Sequence, residues 1–250
     1  MPARKVDIVF CLDTSDSMKP CIDSVRDHIG KLLEQLEKAS FEWRIDFLAH
    51  NIPGRDGGLV YHNESVNGSP WAALYRDDQG FEFFTKDVET FKRRLGELEC
   101  TGDESMLLAL DMALDFPFAP ADETQRVVIL VSDEPFESNE PEAFAKAKGK
   151  VEALKKKIMD RHVTLLAVMP VRDGGVGEDL ATVDRADFTP VDENDLGMKN
   201  ADMAGLLRQL GKTISVTTAQ SGGRDEYQRA LLGQDKWGTT NSWSSIGDRK

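Results

Sequence analysis

Three short runs, residues 6–12, 127–131 and 163–168, are apolar at nearly every position and rich in β-branched side chains, and each stops at a polar cluster. Runs that are apolar on both faces are what a parallel sheet covered by helices demands. A fourth run, 44–49, alternates more loosely, and 81–85 reads as a further strand. Between the strands, Ile22, Val25, Ile29, Leu32, Leu33 and Leu36 recur at steps of three and four, the buried stripe of an amphipathic helix. Phe144, Ala147, Val151, Leu154 and Ile158 do the same within 140–162, and shorter helices are predicted at 86–98, 105–115 and 200–218. Strands alternating with helices give a doubly wound α/β fold with right-handed crossovers. Ligands bind such a sheet beyond the carboxyl ends of its strands, so the loops after residues 12, 50, 131 and 169 are the ones to read for chemistry.

Two stretches break the alternation. Residues 51–79 are Gly-, Asn- and Ser-rich and longer than an ordinary connection. Residues 220–250 hold 24 polar, charged or glycine residues out of 31, too few apolar side chains for a core of their own. The expected organisation is one α/β domain over 1–219, including the long loop 51–79, and a polar C-terminal tail over 220–250. The sheet is expected to be six-stranded and mostly parallel, with 81–85 as an antiparallel edge strand.

Composition narrows the function. With 40% hydrophobic residues the 250-residue chain can bury a sizeable core, and 31 Lys plus Arg against 44 Asp plus Glu give a net charge of −13. That charge repels a phosphate backbone or an anionic membrane, so neither nucleic acid nor membrane is expected as a partner. No run of about 18 apolar residues occurs and the first residues lead straight into a strand, as expected of a cytoplasmic chain. Cys11, Cys21 and Cys100 are an odd number without close pairing, in keeping with a reducing compartment and buried thiols. The four histidines, at 28, 50, 62 and 162, lack paired metal-ligand spacing, which argues against a Cys/His zinc site.

Directly after the first strand comes Asp13-Thr14-Ser15-Asp16-Ser17. Read blandly, these residues cap the next helix. Read chemically, one carboxylate and two hydroxyls at two-residue steps turn hard oxygens toward one point, a donor set suited to Mg²⁺, Mn²⁺ or Ca²⁺. The strand 127–131 ends in Ser132-Asp133-Glu134-Pro135, and adjacent strands lie about 4.8 Å apart, so Asp13 and Asp133 would face one crevice. Gly102-Asp103-Glu104-Ser105 precedes a helix and could close the ring.

These three segments, in this order, resemble the von Willebrand factor A family with its metal-ion-dependent adhesion site (MIDAS), in its intracellular bacterial form; the likeness extends in element order over about residues 5–218. The resemblance implies a Rossmann-like three-layer sandwich. It also implies that Ser15 and Ser17 bind the cation directly and that Asp13 and Asp133 hold it largely through water. The family's Thr ligand lies five residues before an Ala-Leu pair; here Ala109-Leu110 puts Glu104 at that position, and Thr101 sits three residues too early. With Asp13, Glu104 and Asp133 ionised, the site would carry −3 against a +2 ion, which makes an acidic partner residue less welcome. Asp16 and Asp103 are set aside as caps or solvated neighbours.

What the resemblance implies for function is divalent-cation-dependent protein binding, as an adaptor or assembly factor. Its setting would be a multiprotein stress or defence system, with a MoxR-type AAA ATPase as one kind of partner. An enzyme is not expected. Haloacid-dehalogenase-like phosphatases need a second Asp where Ser15 stands, and the phosphate-loop, dinucleotide, zinc-protease and nucleophile-elbow motifs are absent. The competing class is a scaffold whose metal only stabilises the fold. Tyr61, His62, Trp71 and Tyr75 make the loop 51–79 either a partner surface or a cover for the sheet edge. Lys146, Lys148, Lys150, Lys155, Lys156 and Lys157 read as a solvated helix face. Trp237 and Trp243 suggest a docking motif in the tail, for the domain itself, another copy or a partner.

Overall fold

Strand β1 (Arg4–Asp13) is buried from Val6 through Asp13, which only a central strand can be. The computed structural model describes residues 4–50, 59–61, 64–66, 83–98, 100, 106–136, 141–191 and 202–219. In it, β2 (Phe41–His50) and β5 (Thr124–Val131) flank β1 in parallel. Strands β6 (Val163–Met169) and β7 (Ala186–Pro190) continue the parallel sheet beyond β5. On the other side, β3 (Leu59–Tyr61) pairs antiparallel with the end of β2, and β4 (Glu64–Val66) pairs antiparallel with β3.

The two-residue period of the strands sorts their side chains into two cores. Ile8, Phe10, Leu12 and Ile129 meet α1 (Lys19–Lys38), α2 (Val88–Gly96) and α6 (Met203–Ala219) on one face. Val9, Cys11, Val128 and Leu130 meet α3 (Met106–Ala113), α4 (Pro141–Asp160) and α5 (Val176–Ala181) on the other. The doubly wound α/β fold expected from the alternation of elements is the architecture found, in the three layers that the family resemblance implied.

The edges differ from expectation. Among the described residues the sheet has seven strands, in the order β4-β3-β2-β1-β5-β6-β7, where six were expected. Its antiparallel strands, β3 and β4, come from the segment read as a long loop. Residues 81 and 82 of the expected 81–85 strand lie outside the described residues, and Thr85 makes a single antiparallel bridge to Ile45. Phe84 has φ 66°, a left-handed conformation that breaks a ladder, and its N–H is captured at 2.8 Å by the buried carboxylate of Asp46, distant in sequence. The other unforeseen strand, β7, reads Ala-Asp-Phe-Thr-Pro, too short and too polar to announce itself.

Buried charge is compensated beneath the sheet. Asp7, 1% exposed, accepts two bonds from the Arg44 guanidinium at 2.9 and 2.6 Å and one from the Ala119 N–H at 2.9 Å, while Arg44 stacks over Phe84. The lysine-rich helix and the residue after it are tied to α3 and the turn that follows: Lys157 pairs with Asp111 at 2.7 Å and Asp115 at 2.6 Å, and Arg161 pairs with Asp115 at 2.8 Å. Lys155 and Lys156 pair with Glu152 and Asp160 along α4 itself. Among the described residues no helix is long and apolar enough to cross a membrane.

Helices α1 and α6 approach closely at Gly211. A Cβ there would lie 2.8 Å from the Leu32 carbonyl oxygen and 2.9 Å from Gln35 Cβ, and the backbone oxygen cannot move aside cheaply. Gly30, on the exposed side of α1, has nothing within 4 Å of such a Cβ. The two Gly→Ala substitutions are therefore predicted to have opposite signs. Gly211→Ala should destabilise by about 1–3 kcal/mol through overpacking, and Gly30→Ala should stabilise by about 0.5–1 kcal/mol through helix propensity. Thermal or urea unfolding of both variants measures the difference, and equal shifts would contradict the packing described.

Candidate metal centre

Strand β1 stays buried to its last residue, so the chain leaves the sheet with a carboxylate already inside the protein. Asp13 Oδ1 accepts the Ser15 N–H at 2.8 Å, folding the backbone back over the strand end. The Met18 N–H then bonds to the Ser15 carbonyl at 3.0 Å, closing a 3₁₀ turn over Asp16–Met18 that runs into α1, whose first turn carries Pro20. Met18 is fully buried in the core under α1 and pins the turn. This geometry brings Ser15 Oγ and Ser17 Oγ to 3.1 Å from each other, where the two hydroxyls share a hydrogen bond. Asp13, Ser15 and Ser17, singled out from the sequence, thus share one tight turn.

The register of the two central strands brings in the next segment. Leu12 lies opposite Val131, so Asp13 meets Ser132 at the level beyond. Ser132 is fully buried; its hydroxyl donates to Asp13 Oδ2 at 2.7 Å, and its Oγ accepts the Glu134 N–H at 3.0 Å. Asp133, 9% exposed, sits inside that small turn. Sequence reading passed over Ser132, although the signal was available: the residue after Val131 must neighbour the residue after Leu12 once the strands are paired in parallel.

Burial is the largest influence on Asp13 and raises its carboxyl above the ordinary 3.8; the bonds from the Ser15 N–H and from the Ser132 and Ser15 side chains oppose it. Among the described residues no cationic side chain pairs with it, and Lys19 is engaged with Asp23 at 3.2 Å. Cys21, at the start of α1, has its thiol pushed up to about 12, first by burial and then by the negative charges of Asp133 and Asp13. That thiol therefore senses both carboxylates. Glu104, with Thr101 and Asp103, lies outside the described residues, as do His62, Trp71, Tyr75 and the tail. Among the described residues no three His, Cys, Asp or Glu side chains gather as a metal-binding group. The described part of the centre consists of two carboxylates and the hydroxyls of Ser15, Ser17 and Ser132.

No protein-family model and no curated protein matches the sequence. Solved structures do match in shape. A von Willebrand factor type A protein from Catenulispora acidiphila is 14% identical, with a TM-score of 0.51 over 86% of this chain and 43% of its own. The SpRpn10 VWA domain is 10% identical, with a TM-score of 0.50 over 80% of this chain and 96% of its own. Proximal thread matrix protein 1 from the mussel byssus, solved with a zinc-occupied MIDAS motif, is 12% identical, with a TM-score of 0.50 over 85% of this chain and 46% of its own. The chain thus spans less than half the length of the first and third, and about the whole of the second. Strand order, helix layers and these likenesses agree: the chain has the von Willebrand factor A fold.

Proposed function

We propose that the chain is a divalent-cation-dependent protein-binding module whose cation is held by Asp13, Ser15, Ser17, Glu104 and Asp133. The observation that carries this reading is the 3.1 Å separation of Ser15 Oγ and Ser17 Oγ. Two adjacent ligands of an octahedral Mg²⁺ with bonds of about 2.0–2.1 Å lie about 2.9–3.0 Å apart. The two hydroxyls are therefore spaced as neighbouring ligands, beside a buried carboxylate that lacks a cationic partner among the described residues. An all-oxygen donor set suits Mg²⁺, Mn²⁺ or Ca²⁺; a zinc ion occupies the motif in the byssus protein.

In this reading Ser15 and Ser17 bind the ion directly, Glu104 takes the position of the family's Thr, and Asp13 and Asp133 act through water. When bound, the ion supplies a Lewis-acidic point at the sheet edge that accepts an oxygen from a partner protein. The chain's own residues orient and shield that point, and no reaction is assigned to them. Three acidic residues around one ion favour a partner oxygen that is neutral over one that is charged. The domain is taken to span 1–219, with the loop 51–79 and the tail 220–250 as further contact regions. The partner belongs to a multiprotein system of the kind served by MoxR-type AAA ATPases. Three free thiols fit a reducing, cytoplasmic setting.

Mg²⁺ at 100 times its dissociation constant should stabilise the chain by about 2.7 kcal/mol, a rise in melting temperature of about 5–10 °C for a domain of this size. The double variant Ser15→Ala/Ser17→Ala should lose that rise; an undiminished rise would remove the turn from the site.

The sign of the pH dependence follows from Asp13. Because burial raises its folded-state pKa, the folded chain keeps a proton that the unfolded chain has already lost. In EDTA this group's contribution to stability therefore falls as pH climbs from 3.8 through the raised value, and at neutral pH the bare carboxylate is a burden. Asp13→Asn preserves the shape, and Ser132 can turn its proton to the Glu134 carbonyl, 3.0 Å away. The variant is predicted to melt a few degrees higher than wild type in EDTA at pH 7 and to gain nothing from Mg²⁺. A lower melting temperature in EDTA would show that the carboxylate serves the fold rather than an ion.

Affinity purification with and without EDTA, read by mass spectrometry, tests the function itself. Partners should be lost both on chelation and in the folded Asp13→Asn variant. Partners retained in both would favour a scaffold whose contacts lie elsewhere.

A further inference from the structure

We infer that Ser132 is a positioning residue of the cation site, its hydroxyl fixing the Asp13 carboxylate and the turn that carries Asp133. The inference rests on the cation-binding reading above and extends it to a residue outside the ligand set.

Ser132 is held from three directions. Its N–H bonds to the Val168 carbonyl at 3.1 Å, carrying the β5–β6 ladder one residue past Val131, so its backbone is fixed by the sheet. Its Oγ accepts the Glu134 N–H at 3.0 Å, which sets the turn containing Asp133. Its single proton has two acceptors in reach, Asp13 Oδ2 at 2.7 Å and the Glu134 carbonyl at 3.0 Å. An ionised carboxylate is the stronger acceptor, and with Ser132 fully buried water does not compete for the proton.

The consequence for Asp13 is specific. Oδ1 accepts the Ser15 N–H and Oδ2 the Ser132 hydroxyl, so rotation about the side chain's last bond would break both. With the Ser15 side chain also bonded to it, the carboxylate accepts three internal bonds and, of its roughly four lone-pair sites, keeps about one for a water molecule, which is what a carboxylate acting through water requires. Ser132 therefore couples the two acidic segments: it orients one carboxylate by a hydrogen bond and the other by shaping its loop. Outer groups that orient ligands in this way are worth 10–100-fold in metal affinity.

Calorimetric titration of the full-length chain with Mg²⁺ and with Mn²⁺, alongside melting curves in EDTA, tests this. Ser132→Ala should weaken binding at least about 10-fold while changing the EDTA melting temperature no more than Ser215→Ala does. The latter removes another internal hydroxyl, one bonded to the Gly211 carbonyl at 2.7 Å in α6, and should leave affinity at the wild-type value. Ser132→Thr, which restores the donor, should recover binding. If Ser132→Ala melts far below the control, Ser132→Cys decides, since it keeps the fold's volume but donates weakly: reduced affinity supports the role and wild-type affinity overturns it. Wild-type affinity in a folded Ser132→Ala likewise overturns it while leaving the cation reading intact. A wild-type chain that binds neither ion overturns the cation reading and this inference with it.

Discussion

Two buried parallel strands that end level with each other determine what this molecule can do. β1 and β5 are paired from Lys5 opposite Thr124 to Leu12 opposite Val131, and both are sealed by helices on either face. Neither strand can shift by one residue without sending its apolar side chains into the wrong core. The residues immediately beyond, Asp13 on one strand and Ser132 and Asp133 on the other, are thus delivered to one place by the same packing that stabilises the sheet. A polar centre at this edge is a consequence of the register.

Four strand aspartates are almost completely buried, and three of them, Asp7, Asp46 and Asp13, meet the cost of burial in different ways. Asp7 has a bidentate arginine. Asp46 is satisfied by backbone, accepting the N–H groups of Phe47 and Phe84 at 2.9 and 2.8 Å, and so pins residues 83–85 to β2. Asp13 has a backbone N–H and a serine hydroxyl but, among the described residues, no positive charge. The first two arrangements are closed structural solutions. The third, among the described residues, has hydrogen bonds from Ser15 and Ser132 and no counter-ion, and on the cation-binding reading a divalent ion supplies that charge.

Much of this was legible in the sequence because the relevant signals are local. The run ending at Leu12 and the run ending at Val131 announce central strands, and in an α/β sheet that alone sends Asp13 and Asp133 to the same side. The spacing of Ser15 and Ser17 foretells a turn with both hydroxyls together. What stayed hidden depended on long-range partners. Residues 81–85 have strand composition, but Asp46, 38 positions from Phe84, diverts the chain. The strands β3 and β4 are three residues each and carry no periodicity against their Gly- and Asn-rich surroundings. Ser132 looked like one polar residue in a cluster until the β1–β5 register set it against Asp13. The lysines of α4 resembled a basic patch until Asp111 of α3 and Asp115 of the turn after it were placed beside Lys157 and Arg161.

A crystal grown with Mn²⁺ and measured at its absorption edge puts the central claim to the most direct test. One anomalous peak within about 2.3 Å of both Ser15 Oγ and Ser17 Oγ, with the Asp13 carboxylate still bonded to Ser132, is the expected result. The absence of any peak between β1 and β5, or an ion bound only at some other surface, would contradict it.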